Sequence, residues 1–162
     1  MNSIPLRPLT YDVAGRTLGS GPVLGVLTDT PADMAVAAHA ADLAARTGTL
    51  LIAAATVHTT GCSVNALLHH ARDRRIRSRS IAIVARVTPI LNAAGVAYFR
   101  TTLLVPTSTD TGRAPPIAGV TRVVNRFGAV AVVIALPLHD PTGALRPTAH
   151  HGPATAPTSS TA

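Results

Sequence analysis

The chain has 162 residues with no Trp, two Phe and two Tyr, so a domain of this size must build its core from Ala, Val, Leu and Ile. All fourteen basic residues are Arg, and with only seven acidic residues the formal charge is +7. This bias, with no Lys, Glu or Gln, is typical of a GC-rich coding sequence, which makes basicity a weak indication of nucleic-acid binding.

The N-terminal segment and the cysteine count indicate the cellular compartment in which the protein is expected. No charged region followed by an apolar run opens the chain, and no apolar stretch approaches the roughly 20 residues that span a bilayer. The single cysteine, Cys62, excludes an intrachain disulfide and fits a reducing cytosol. We therefore expect a cytoplasmic protein without a membrane segment. Because residues 1–22 hold three Pro and three Gly, we predict that they form a flexible leader.

A buried strand and an amphipathic helix are the first predicted elements. Val23–Leu27 is a short apolar run bounded by turn residues, which is typical of a buried strand. Thr30 is predicted to cap the following helix, and Asp33 stands three residues after it, as in a capping box. The helix is expected to run to about Thr47, where Gly48 is a natural C-terminal stop.

The next segments predict a second strand and a long helix. Thr49–Val57 is apolar and reads as a strand. Within residues 65–94, apolar residues recur at helical spacing, which predicts a helix with a kink or break near Thr88, because Pro89 interrupts the pattern. The alternative is a strand at Ser80–Val87 followed by a short helix.

The remaining segments complete an alternating β-α-β-α-β-α-β order. Val96–Val105 predicts a strand, Pro115–Phe127 a helix, and Ala129–Leu136 a central parallel strand. This order predicts a three-layer α/β/α sandwich with an open, mainly parallel, Rossmann-like sheet of about four strands, formed by residues 23–137. Residues 138–162 are rich in Pro, Thr and Ala and are predicted to be a disordered tail.

Four segments, taken in order, resemble the universal stress protein family. They are Val-Leu-Thr-Asp-Thr-Pro at 26–31, Ala-Asp-Leu-Ala-Ala-Arg-Thr-Gly at 41–48, Leu-Asn-Ala-Ala-Gly-Val at 91–96, and the run from Val123 to Ile134. The resemblance covers roughly Pro22 to Pro137 and implies that family's fold. In its ATP-binding members, an Asp after the first strand and a Val at the end of the second contact adenine, and Asp29 and Val57 match these positions.

The family's phosphate loop is not matched. It reads Gly-x2-Gly-x9-Gly-Ser/Thr after the fourth strand, whereas residues 136–152 here keep only Gly143 and Gly152, wrongly spaced, with Asp140 placed to repel phosphate. The family's last helix and fifth strand, which commonly pairs the dimer, have no counterpart. The resemblance thus implies a member that holds no ATP cofactor and that leaves a sheet edge open to a partner or a second copy.

Polar residues follow three of the predicted strands. Asp29 follows the first strand, His58 the second, and His139 and Asp140 the fourth. Such residues converge at the carboxyl edge if the first strand lies between the other two, where they could bind a small ligand, bind a metal or act as acid and base. The alternative is that these polar residues end their strands and have no functional role. We predict ligand binding by Asp29, Val57, His58 and His139, without a resident metal, since the adjacent pairs His69-His70 and His150-His151 are poor chelates.

The densest charge cluster has five Arg between residues 72 and 79. On a helix, Arg72, Arg75 and Arg79 share one stripe, which could bind nucleic-acid phosphates. The competing interpretation is a solvated helix face, and no aromatic residue interleaves to stack on bases. Catalytic motifs such as Gly-x-Ser-x-Gly or a Walker loop are absent from the sequence.

Three functional hypotheses follow from these patterns. The first is a non-enzymatic stress-response protein that binds a partner or, weakly, a small ligand near Asp29 and Val57. The alternative is a basic nucleic-acid-associated accessory protein that uses the arginine stripe. A third is an enzyme that uses Asp29, His58 and His139.

Overall fold

The computed structural model describes residues 7–59, 66–107 and 115–148, with the backbone alone for residues 66–68. Six strands and three helices lie in these residues. In chain order the elements are β1 (Leu9–Val13), β2 (Val23–Leu27), α1 (Asp33–Thr47), β3 (Leu51–Thr59), α2 (Ala66–Ala93), β4 (Tyr98–Pro106), α3 (Ile117–Phe127), β5 (Ala131–Ile134) and β6 (Leu145–Pro147).

The strands form one mixed, mostly parallel sheet. Its order is β4-β3-β2-β5-β1-β6, with β2 to β5 parallel to one another and β1 antiparallel to both of its neighbours. Val23 of β2 lies beside Leu51 of β3 on one side and Ala131 of β5 on the other. The predicted three-layer α/β sandwich is therefore confirmed, with six strands in the described chain where about four were expected.

Alternate residues of the central strands pack into two hydrophobic cores, one on each face of the sheet. Val23 and Leu27 face the layer of α1 and α2, whereas Leu24 and Val26 face α3, and all four are buried. Between them, Gly25 packs against α1, where an added Cβ would lie in contact with the Cβ of Ala40 at 3.4 Å. Small side chains on the helices and continuous apolar strands fit the Ala- and Val-rich composition.

The predicted flexible leader contains a strand, which corrects the sequence interpretation. β1 pairs with β5 from Leu9↔Ile134 to Asp12↔Ala131, and Tyr11 and Val13 are buried in the α3-side core. The leader is also fastened at Arg16, whose guanidinium donates to the carbonyl of Ala129 at 2.6 Å. The edge that was expected to stay open, that of β5, is thus covered by the chain's own β1.

The predicted disordered tail also begins with ordered structure. A turn after β5 leads into β6, which pairs with β1 from Tyr11↔Pro147 to Val13↔Leu145. Leu145 is buried at 4% exposure because it joins the core beneath α3. The sheet therefore extends beyond the expected bounds of 23–137 on both sides, while residues 149–162 lie outside the described chain.

α2 is one continuous helix through the segment for which both helix and strand were considered. Helix was the right prediction for Ser80–Val87, and the strand alternative was wrong. Of the kink or break expected near Thr88, the break does not occur, because the helix continues through Pro89. Before Pro89, the Thr88 hydroxyl donates to the Val84 carbonyl at 3.0 Å, a side-chain contact that often accompanies a bend. After it, the backbone bond from the Ala94 N–H to the Ile90 carbonyl is 3.0 Å long. Among the described residues, no helix is both long and apolar enough to cross a bilayer.

Candidate functional site

Asp29 stands at the carboxyl edge of the sheet, directly after β2. It is the one described residue other than glycine with a left-handed backbone, at φ 60°. Its carboxylate pairs with two arginines of α2, at 2.7 Å from Arg79 Nη2 and 2.5 Å from Arg86 Nη2. These arginines are seven residues apart, about two helical turns, so they lie on the same face of α2. Asp29 thus ties the β2–α1 turn to α2.

Asp33 organises the same turn from inside. Its side chain is 3% exposed, and its carboxylate accepts the N–H of Thr28 at 2.8 Å and the N–H of Thr30 at 3.2 Å. Arg86 Nη2 lies 3.5 Å from its second oxygen. Burial raises the pKa of Asp33, and the two backbone donors and Arg86 oppose that rise.

The predicted Thr30 cap is only half formed. Asp33 reaches back to the Thr30 N–H, as the acidic residue of a capping box does, but the Thr30 hydroxyl lies 3.2 Å from the Thr28 hydroxyl. The helix begins after Ala32, which makes no side-chain cap. The Asp33 N–H, which the Thr30 hydroxyl would accept in a complete capping box, donates instead to the Thr30 carbonyl at 3.1 Å.

A shallow recess of about 250 Å³ opens beside these ion pairs. It is lined by Asp29, Arg79, Ala82, Ile83 and Arg86. Two guanidinium groups share the Asp29 carboxylate, so the recess offers charged donors to a small polar or anionic molecule. Both oxygens of Asp29 already accept from Arg, so a further donor would share the carboxylate with these two guanidinium groups.

The other predicted ligand-binding residues lie outside this recess. Val57 is 3% exposed and belongs to the core under α1 and α2. His58 is exposed and is not among the residues that line the recess. His139 is exposed, five residues after Ile134. A ligand-binding role for these three side chains stays a prediction.

Metal binding was considered for the histidines and for the strand ends. Among residues 7–59, 66–107 and 115–148, no group of three His, Cys, Asp or Glu side chains is arranged to hold a metal ion. His69 and His70 are exposed on α2. Cys62 and the pair His150-His151 lie outside the described residues.

The loop after β5 folds around its own carboxylate. Asp140 accepts the Thr142 hydroxyl at 2.6 Å, the Thr142 N–H at 2.9 Å and the Leu145 N–H at 2.8 Å. The Thr142 hydroxyl, followed by these backbone donors, holds the pKa of Asp140 below its usual range. The sequence Asp140-Pro141-Thr142-Gly143 is a typical turn pattern that could have predicted this loop.

The arginine stripe lies on a helix, as the nucleic-acid hypothesis requires. Arg75 and Arg79 are exposed on α2, and Arg72 is partly exposed. Arg79, however, is paired with Asp29 at 2.7 Å, which neutralises part of the stripe. Two residues of the stripe therefore remain to carry a phosphate interaction.

We expect the stripe to add no affinity for nucleic acid beyond the net charge. Arg72→Ala/Arg75→Ala and the matched pair Arg46→Ala/Arg146→Ala each remove two charges, and both should weaken binding of a short DNA duplex equally in electromobility shifts across a salt series. Each phosphate contact contributes roughly 0.9 to the slope of log affinity against log salt. A larger loss and a slope change of roughly 2 confined to the stripe variant would favour the alternative.

No family model matches the sequence, and no curated protein matches it. Two solved structures are similar. A universal stress protein crystallised in complex with cAMP is 14% identical, with 70% of this chain and 75% of that chain covered at a TM-score of 0.49. A protein of the universal stress protein family from Burkholderia pseudomallei is 20% identical, with 70% and 80% covered at a TM-score of 0.44. These similarities concern the fold alone.

Proposed function

We propose that this chain is a cytoplasmic, non-enzymatic protein similar to universal stress proteins, which acts in stress response by binding a partner. Any small ligand would bind weakly beside Asp29, and ATP would not bind in that family's manner. The proposal is supported by the four sequence segments that resemble the family and by the α/β sandwich in which they lie.

The Asp140 loop is the observation that carries the proposal. A phosphate loop offers several free backbone N–H groups to an anion. Here the N–H groups of Thr142 and Leu145 already donate to Asp140, and the chain then continues into β6. A carboxylate of the protein takes the place that phosphate would need, and its charge would repel a triphosphate.

The ion pairs of Asp29 support the same conclusion from the other end of a nucleotide. An Asp that contacts adenine needs a carboxylate oxygen that is free to accept the base's amino group. Both oxygens of Asp29 accept from Arg79 and Arg86, and the side chain is 29% exposed. The adenine amino group would therefore have to share this carboxylate with two guanidinium groups.

We expect no saturable heat when ATP with Mg²⁺ is titrated into the chain by isothermal calorimetry. The Asp140→Ala variant should behave in the same way, because the loop still lacks the family's glycine spacing. Mass spectrometry of the purified chain should likewise find no co-purified nucleotide. Saturable binding that is lost in Asp29→Ala would contradict the proposal, since it would place a nucleotide in the family's adenine site.

A further inference from the structure

β4 is an edge strand with an unused row of backbone groups. In the described chain it pairs only with β3. The Ala97 carbonyl accepts from Leu51 and the Thr107 N–H donates to Thr59, both at 3.0 Å, so the odd-numbered residues of β4 bond to β3. The backbone groups of the even-numbered residues from 98 to 104 therefore point away from the sheet. Pro106 has no N–H and ends this row.

The same edge holds most of the aromatic surface of the protein. The chain has two Tyr, two Phe and no Trp, and three of these four residues, Tyr98, Phe99 and Phe127, lie at or beside β4. Phe99 is 52% exposed and stacks at a tilt on Phe127, with ring centroids 5.6 Å apart. Exposed aromatic residues beside arginine are the composition of binding hot spots.

Two recesses flank the edge, and both are basic. The recess on the α2 side has a volume of about 610 Å³ and is lined by Arg77, Ile81 and Arg100, among others. The recess on the α3 side, of about 180 Å³, includes Arg122 and Arg126. Among the described residues, no acidic side chain lines either recess. Charge complementarity therefore favours an occupant that brings negative charge to both faces of the sheet.

We propose that the β4 edge binds an extended acidic segment of a partner protein, which adds to the sheet as a further strand. Its backbone would pair with the even-numbered residues from 98 to 104, its carboxylates would meet the arginines on both faces, and an apolar side chain would cover Phe99. A second copy of this chain would bring four more arginines against the first four, which disfavours self-pairing. A nucleic acid would leave the backbone row unpaired.

This surface deepens the proposed function, on which it rests for the expectation that the chain acts by binding a partner. The two can fail separately. ATP binding at Asp29 would overturn the proposed function whatever β4 does. Loss of the β4 proposal would leave partner binding to another surface of the protein.

The backbone row is tested at Thr102, whose N–H points outward. The probe is a fluorescein-labelled peptide of roughly eight residues that repeats Glu-Glu-Val-Val, so that each face of the strand carries both residue types. Thr102→Pro removes the outward donor and should weaken binding by at least about tenfold in fluorescence anisotropy. Because Thr102 also donates to the Ser80 hydroxyl at 2.8 Å, Thr102→Val is the matched control, and it should bind like the wild type.

The charge requirement is tested at Arg100. Arg100→Glu should weaken binding of the peptide by at least about tenfold, whereas Arg74→Glu makes the same change of net charge on an exposed part of α2 and should have a small effect. A peptide that repeats Lys-Lys-Val-Val should not bind. The comparison of Arg100→Glu with Arg74→Glu tests the proposal even if Thr102→Pro fails to fold.

Four outcomes would overturn the proposal. The first is no saturable binding of the acidic peptide by the wild type up to about 1 mM. The second is equal loss of binding in Arg100→Glu and Arg74→Glu. The third is a stronger interaction with single-stranded RNA that depends on the same arginines. The fourth is a dimer in light scattering that Thr102→Pro dissociates, since a second copy would then occupy the edge.

Discussion

Tyr11→Ala is expected to lower the free energy of unfolding by about 3–5 kcal/mol, the usual cost of removing a buried aromatic side chain. The Tyr11 ring is 6% exposed in the α3-side core, and its hydroxyl accepts the N–H of Leu138 at 2.8 Å. One side chain therefore connects the leader to the loop after β5. Urea unfolding followed by circular dichroism measures the loss.

Two control variants separate the contributions to this effect. Tyr11→Phe keeps the ring and orphans one backbone donor, so it should cost about 1–2 kcal/mol. Leu18→Ala changes a residue of the same segment that is 44% exposed, and it should stay within about 0.5 kcal/mol. A cost below about 1 kcal/mol for Tyr11→Ala would mean that β1 contributes little to the stability of the folded state, as expected of a flexible leader.

The weakening of β1 should also change the solution mass. β1 covers β5 along four residue pairs, from Leu9↔Ile134 to Asp12↔Ala131. If Tyr11→Ala loosens that pairing, the apolar β5 presents an open edge, which is a template for association. Light scattering should then show larger species for Tyr11→Ala than for Tyr11→Phe at equal concentration.

The central strands could be predicted because they are buried on both faces. β2 and β5 have five and four buried residues with no polar position, and a continuous apolar run bounded by turn residues needs no tertiary information to recognise. α1 was predicted as an amphipathic helix that ends at Gly48, and α3 as a helix over Pro115–Phe127. Gly48 and Gly128, which follow these helices, both have positive φ. Local signals sufficed wherever one element carried its own pattern.

β1 and β6 were missed because their signals are short and depend on each other. Leu9, Tyr11 and Val13 do alternate with polar residues, but five residues among Pro and Gly carry little weight alone. β6 has three residues and becomes a strand only because β1 lies beside it. β1 in turn requires the edge of β5. Such pairings are tertiary, so the short alternation in β1 could not reveal them by itself.

The position of the candidate site was predicted from the sequence, but the ion pairs of Asp29 were not. Asp29 does end β2 at the carboxyl edge, as the strand pattern implied. Its two arginine partners are 50 and 57 residues away, and they reach it only because α2 stays helical through that span. The burial of Asp33 was also missed, because a residue at capping-box spacing is ordinarily exposed.

Asp33→Ala is expected to destabilise the chain by about 3 kcal/mol, since each buried backbone donor left without a partner costs about 1–3 kcal/mol. The N–H groups of Thr28 and Thr30 both lose their acceptor, and Arg86 loses its second carboxylate. Asp33→Asn keeps one acceptor oxygen and should cost less. Asp42→Ala removes an exposed pair with Arg46 and should stay within about 0.5 kcal/mol.

The pH dependence of the Asp33 variants distinguishes burial from charge pairing. Because burial raises the pKa of Asp33 above its ordinary 3.8, the folded state holds this proton more tightly than the unfolded state does. The stability from that proton is fully present below the unfolded pKa and is lost as pH rises through the folded one. The stability difference between the wild type and Asp33→Asn should therefore be larger near pH 4 than near pH 7. A difference that shrinks on acidification would show that the Arg86 pair, rather than burial, dominates at Asp33.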